Sequence, residues 1–114
     1  MRQAGVLAAA ALVALEEGPP RLWVDHENAA RLARGLAGIP GIRLDASEVQ
    51  TNIVIFGVEP AAMSSTQFLE ALKACGVLAL PVDAAHVRMV THLHVDSAAM
   101  DRTVDAVAEV MKKA

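Results

Sequence analysis

The run "TNIVIFGV", residues 51–58, constrains this chain more than any other stretch. It is β-branched and apolar on both faces, so it reads as a strand covered on most of both sides. Pro60 ends it, because proline cannot donate to a sheet ladder. Such a strand needs neighbours, and two are legible: a short "VLAL" at 77–80 and a longer "HVRMVTHLHV" at 86–95, with a turn around Pro81 to Ala85 between them. In the longer one, a period of two puts Val87, Met89, Thr91, Leu93 and Val95 on one side. Arg88, Val90, His92 and His94 fall on the other.

The rest of the chain reads as helix. Residues 3–17 are alanine-rich, and Gly18-Pro19-Pro20 stops them. This helix is apolar on nearly every side, which predicts burial or packing against another subunit. "RLWVDHENAARLARGLA", 21–37, carries an apolar stripe of Ala29, Leu32, Ala33 and Leu36, with Glu27 and Arg31 as an i,i+4 pair and Gly38, Pro40 and Gly41 closing it. Ser64 with Gln67 three residues later is a capping box; Phe68, Leu69, Leu72 and Cys75 then face inward, and Gly76 sits where a C′ glycine belongs. Asp96 or Ser97 caps a last helix striped by Met100, Val104, Val107 and Met111. Asp101 and Asp105 near its start and Lys112 and Lys113 at its end suit the helix dipole. The order helix, helix, strand, helix, strand, strand, helix predicts an α+β fold: a small, mainly antiparallel sheet packed with helices.

Bulk properties exclude several classes. At 114 residues the chain fits one domain with a real core, and 54% hydrophobic residues against 20% charged argue against disorder. With a net charge of −3 and no basic stripe interleaved with aromatics, nucleic acid is not the expected partner. Cys75 is the single cysteine, so no intramolecular disulfide forms, which fits a reducing compartment. The start, "MRQAGVLAAAALVALEEG", resembles the opening of a secretory signal, but the apolar run is too short to span a bilayer and Glu16 and Glu17 stand where small residues would be wanted.

Arg88 is the first candidate for chemistry. An arginine in mid-strand must snorkel, pair with one of the thirteen acids, or meet an anionic ligand, and its planar fork suits a carboxylate. His92 and His94 form an H-x-H pair of the kind that starts a metal site, but Cys75, His26 and His86 have no spacing that supplies a third ligand, and histidines bonded to backbone or solvent are the plainer reading. "GLAGIPG" follows a helix rather than a strand, so it is no phosphate loop, and no nucleophile elbow is visible. Lys73 sits beside Glu70 on a helix flank, and Lys112 and Lys113 lie in the tail, so none is poised for a Schiff base.

"MRQAG" at the start, "DHENAARLARGL" at 25–36, "QTNIV" at 50–54, "GVLALP" at 76–81 and "VRMVTH" at 87–92 fall in an order that resembles the low-specificity L-threonine aldolase family. That family belongs to the aspartate-aminotransferase-like, fold-type-I pyridoxal-phosphate enzymes. The resemblance covers nearly the whole chain but about the last third of a family member. It implies a small C-terminal domain at 21–114 and, at 1–20, a helix joining a large domain that carries the Schiff-base lysine and the ring-stacking histidine. Met1 then corresponds to an internal position of the family. The implied activity is cleavage of L-threonine and other β-hydroxy-α-amino acids to glycine and an aldehyde, with pyridoxal phosphate as cofactor. The chain alone is expected to be inactive, with no catalytic residue of its own.

The resemblance also assigns roles. Arg88 binds the substrate's α-carboxylate, Arg2 either supplies charge near the cofactor phosphate or starts the helix bonded to a nearby acid, and His92 supports Arg88 from behind. His94 departs from the family's usual Asp, which puts the role of that strand end in doubt. The implied partners are the large domain, further copies in a homo-oligomer and a small amino acid, in the cytoplasm, with neither nucleic acid nor membrane. Self-association through the first helix, or an amino-acid-binding domain, are the alternatives.

Overall fold

The computed structural model describes residues 2–114. Eight principal elements run along the chain: α1 (Ala4–Glu17), α2 (Leu22–Ala37), β1 (Ile42–Arg43), β2 (Ile53–Val58), α3 (Ser65–Ala74), β3 (Leu80–Pro81), β4 (His86–Val90) and α4 (Ser97–Lys112), with 3₁₀ turns at Pro19–Arg21 and Ala46–Glu48. The four strands form one antiparallel sheet in the order β1-β2-β4-β3, giving the α+β class that the element order predicts. β1 is too short to show a period and is absent from the sequence reading.

One face of the sheet is covered. Val54 and Phe56 of β2 and Val87 and Met89 of β4 point into a core completed by Leu32 and Leu36 of α2, Phe68 and Leu72 of α3, and Met100 and Val107 of α4. Phe56 and Phe68 meet edge to face at 5.8 Å, which matters in a chain so poor in aromatics. The other face is open. Ile53, Ile55, Leu80 and Val90 are exposed, so β2 is covered on one side and not on both as its composition predicts.

The helix signals act as read. Ser64 Oγ accepts from the Gln67 N–H while the Gln67 side chain accepts from the Ser64 N–H, closing the capping box. Gly76, at φ +82°, ends α3 in a Schellman turn, with the Val77 N–H donating to Leu72 and the Gly76 N–H to Lys73. Cys75, expected inward, is exposed at that turn. Asp96 Oδ1 caps α4 through the Ala99 N–H at 2.8 Å. Arg31 does not pair with Glu27; it reaches α4 and donates two hydrogen bonds to Asp101, at 2.9 and 2.7 Å, tying α2 to α4 on the outer surface.

α1 stands apart. None of its residues is buried, and Val6 and Leu15 are 73% and 71% exposed. The radius of gyration is 16.3 Å with a long axis of 51 Å, whereas a compact chain of this length gives about 13 Å. Neither α1 nor any other described helix is long and apolar enough to cross a membrane.

α2 and α4 approach closely because Gly35 has no side chain: a Cβ there would lie 2.5 Å from Val104 Cγ2. Gly35→Ala is therefore expected to destabilise the fold by about 1–3 kcal/mol through overpacking, and Val104→Ala in the same chain to recover part of the loss. Urea unfolding midpoints measure both.

Candidate functional site

Arg88 lies in the middle of the open sheet face. Its register partners are Ile55 on β2 and Leu80 on β3, and directly paired residues of an antiparallel ladder point the same way. The guanidinium therefore rises between two aliphatic side chains, with Val90 and its partner Ile53 extending the apolar surface along the strands. Asp101, Glu59, Asp25 and Glu109 are taken by other cations and Asp83 by the His86 ring, and among the described residues Arg88 has neither an ion pair nor a side-chain hydrogen bond. Of the readings open to a mid-strand arginine, the internal salt bridge is not formed. A free planar guanidinium on an apolar floor has the donor geometry to take one carboxylate in two-point fashion.

Both ends of β4 are pinned. At the start, Asp83 Oδ1 accepts from the backbone N–H groups of Ala85 and His86, each at 2.8 Å, and lies 2.8 Å from His86 Nδ1. The Ala85 N–H first, and then the His86 ring, hold the Asp83 carboxyl below its ordinary 3.8. At the far end, the Thr91 N–H donates to the Asn52 carbonyl at 2.9 Å, and Asn52 Nδ2 donates back to the Thr91 carbonyl at 2.9 Å. The buried Thr91 hydroxyl donates to the Asp25 carbonyl of α2 at 2.7 Å.

The structure does not bring the other candidates to Arg88. β4 ends at Val90, so His92 and His94 lie in the turn before α4 and not on the strand. The His94 N–H donates to His92 Nδ1 at 3.2 Å, a local contact within that turn. No group of three or more His, Cys, Asp or Glu suited to a metal exists among the described residues. A cleft of about 520 Å³ lies past the strand end, walled by Met89, Thr91, His92, His94 and Met100, and Arg88 does not line it. Arg2 is exposed in the turn before α1, and that 14-residue helix separates it from the rest of the chain by about 20 Å.

The chain's own residues do not fit a pyridoxal-phosphate cradle. Lys73, Lys112 and Lys113 are all exposed on or beside helices, so none of the three lysines offers a buried amine for a Schiff base. Two polar residues that the sequence reading passes over, Asn52 and Thr91, lie inside quoted motifs and pin the far end of β4. Their signal is a polar residue at an inward position: Thr91 continues the series Val87, Met89 and is 1% exposed.

A four-stranded antiparallel sheet with helices on one face has the architecture of the small domains in fold-type-I pyridoxal-phosphate enzymes. Two solved structures share the fold. One is a protein called MppP, soaked with the product 2-ketoarginine (TM-score 0.65, 20% identity, covering 87% of this chain and 30% of that one). The other is ornithine aminotransferase from Plasmodium yoelii (TM-score 0.62, 13% identity, 81% and 24%). Residues 1–59 match the beta-eliminating lyase family, and the chain belongs to it. It is also 34% identical over 112 residues to low-specificity L-threonine aldolase 1 of Arabidopsis thaliana, which takes in 97% of this chain and 31% of the relative. With the low specificity L-threonine aldolase of Escherichia coli K12 it shares 41% over 99 residues, 83% of this chain and 26% of that protein. The resemblance carried by the five sequence landmarks is thus borne out, and the chain spans between a quarter and a third of the length of these relatives.

Asp83 and Asp101 both have carboxyl groups held below the ordinary value, Asp101 chiefly by the hydrogen bonds from Arg31. Each contributes stability that is full above the unfolded carboxylate range and is lost as pH falls through the lowered folded value. Denaturation midpoints are expected to drop below about pH 4, and Asp83→Asn with Asp101→Asn to flatten that acid limb. A double variant with an unchanged slope would contradict the assignment.

Proposed function

We propose that this chain is the small domain of a pyridoxal-phosphate-dependent aldehyde-lyase that cleaves L-threonine and other β-hydroxy-α-amino acids to glycine and an aldehyde, and that Arg88 grips the substrate's α-carboxylate. The observation that carries the proposal is the unpaired Arg88 guanidinium on an open apolar sheet face. The aldolase relatives match most of the chain and support this reading.

The physical need is orientation. The cofactor, held by residues of the large domain, would supply carbanion stabilisation when bound, and that chemistry would need the substrate held in one fixed rotation. A two-point grip on the carboxylate sets that rotation, and a charge-assisted bond contributes about 1.5–3 kcal/mol. Ile55 and Leu80, beside the guanidinium, exclude water from the pair once the face is covered, which strengthens it.

In this reading residues 21–114 form the small domain and residues 1–20 join it to a large domain that supplies the lysine and the cofactor cradle. Two features support a covering partner: the open face around Arg88, and α1, whose apolar side chains are all exposed. Arg2, at the outer end of α1, would lend charge to the cofactor phosphate only when that helix is packed. His92 accepts from the His94 N–H within its own turn, and its support of Arg88 is part of the proposal. A homo-oligomer in the cytoplasm is part of the proposal. The second reading, self-association of the chain through α1, draws on the same exposed helix.

Arg88→Ala in a full-length relative is expected to cost most of kcat/KM with a strong rise in KM for the amino acid; kinetics that barely move would overturn the carboxylate assignment. Pyridoxal phosphate added to the purified chain is expected to leave no cofactor absorbance after dialysis, and a band that survives would show an amine site in this chain. Sedimentation velocity is expected to show concentration-dependent association of the chain alone, because α1 has no other cover.

A further inference from the structure

β2 and β4 are joined through residues 59–85, so no tight turn sets their register. A slip of one residue would turn Arg88 into the core and Met89 out of it. Apolar patterning guards against this at Val87 and Met89 but not at the end of the strand. There the pattern is inverted: apolar Val90 faces out and polar Thr91 faces in. Hydrogen bonding is what discriminates at that end. Only in the observed register does the buried Thr91 hydroxyl meet the Asp25 carbonyl, at 2.7 Å, while Thr91 and Asn52 exchange two bonds of 2.9 Å. A buried hydroxyl that loses its acceptor is costly, so the alternative registers are penalised.

We infer that Asn52 and Thr91 are positioning residues for Arg88, a clamp that ties β2, β4 and α2 together and holds the guanidinium on the open face. Thr91 is three residues from Arg88, about 10 Å along the strand. Support for Arg88 from the β3 side is thin, because β3 has two residues and one of them, Pro81, has no N–H to donate. The β2 side and its clamp therefore set where the charge stands. This inference rests on the reading of Arg88 as the carboxylate-binding residue.

The test is a set of double-mutant cycles in an intact low-specificity L-threonine aldolase that carries the same Asn, Arg and Thr. KM and kcat for L-threonine are measured for Asn52→Ala, Thr91→Val, Thr91→Ser and Arg88→Ala, and for each clamp variant combined with Arg88→Ala. Asn52→Ala is expected to raise KM roughly tenfold with a smaller change in kcat, since weakening a charge-assisted bond to the carboxylate costs on that scale. Once Arg88 is alanine, the same change is expected to add nothing, because the clamp acts through that side chain. Thr91→Val behaves like Asn52→Ala, and Thr91→Ser, which keeps the hydroxyl, restores most of the affinity. Multiplying KM effects in the double variants, or clamp variants that leave KM unchanged while Arg88→Ala raises it, overturn the clamp alone. An unchanged KM in Arg88→Ala removes the carboxylate reading and the clamp with it. If Asn52→Ala does not fold, the Thr91 pair decides the comparison.

Discussion

The pairing of β2 with β4 is the contact on which the rest of this structure depends. It runs from Ile53↔Val90 to Gly57↔His86, and it joins segments far apart in the chain. The two strands supply the inward residues that α2, α3 and α4 pack against, and the same ladder decides what faces outward. Because side chains alternate strictly along a strand, one choice of register creates the core and the charged outer face together. The core of Phe56, Val87 and Met89 and the outward Arg88 are two consequences of one geometric decision.

A free guanidinium between isoleucine and leucine is an unusual use of a sheet surface. In an isolated domain the apolar side chains around Arg88 add nothing to stability while they stay in water. They strengthen an ion pair only when a covering surface lowers the local dielectric. The same economy applies to α1, whose helix-forming residues gain from propensity and almost nothing from packing. Both features leave apolar surface in water, where it gains nothing until something packs on it.

Much of this architecture was legible because the signals are local. The capping box at Ser64 and Gln67, the glycine at Gly76 and the cap at Asp96 act within one turn of their helices, so the residues themselves carry the information. The stripe Ala29, Leu32, Ala33, Leu36 is legible for the same reason, since its period is a property of one helix. Long-range features were less so. β1 has two residues and no period; Arg31 had a reasonable partner in Glu27 nearby and found a better-placed one in Asp101 across the helix pair. His92 and His94 continue the strand's alternation in sequence, but the chain turns after Thr91 to reach α4, and periodicity alone does not reveal where hydrogen bonding stops.

The order of elements, the helix ends, the inward stripes and the oddity of an arginine in an apolar strand were determined by the sequence alone, because each depends on residues within a few positions of one another. The tertiary structure decided which sheet face stays open, that no acid among the described residues reaches Arg88, and that Asn52, Thr91 and Asp25 close into one hydrogen-bonded set. Those outcomes depend on contacts between segments up to 66 residues apart, and the free energy of such contacts comes from burial and geometry that no local pattern specifies.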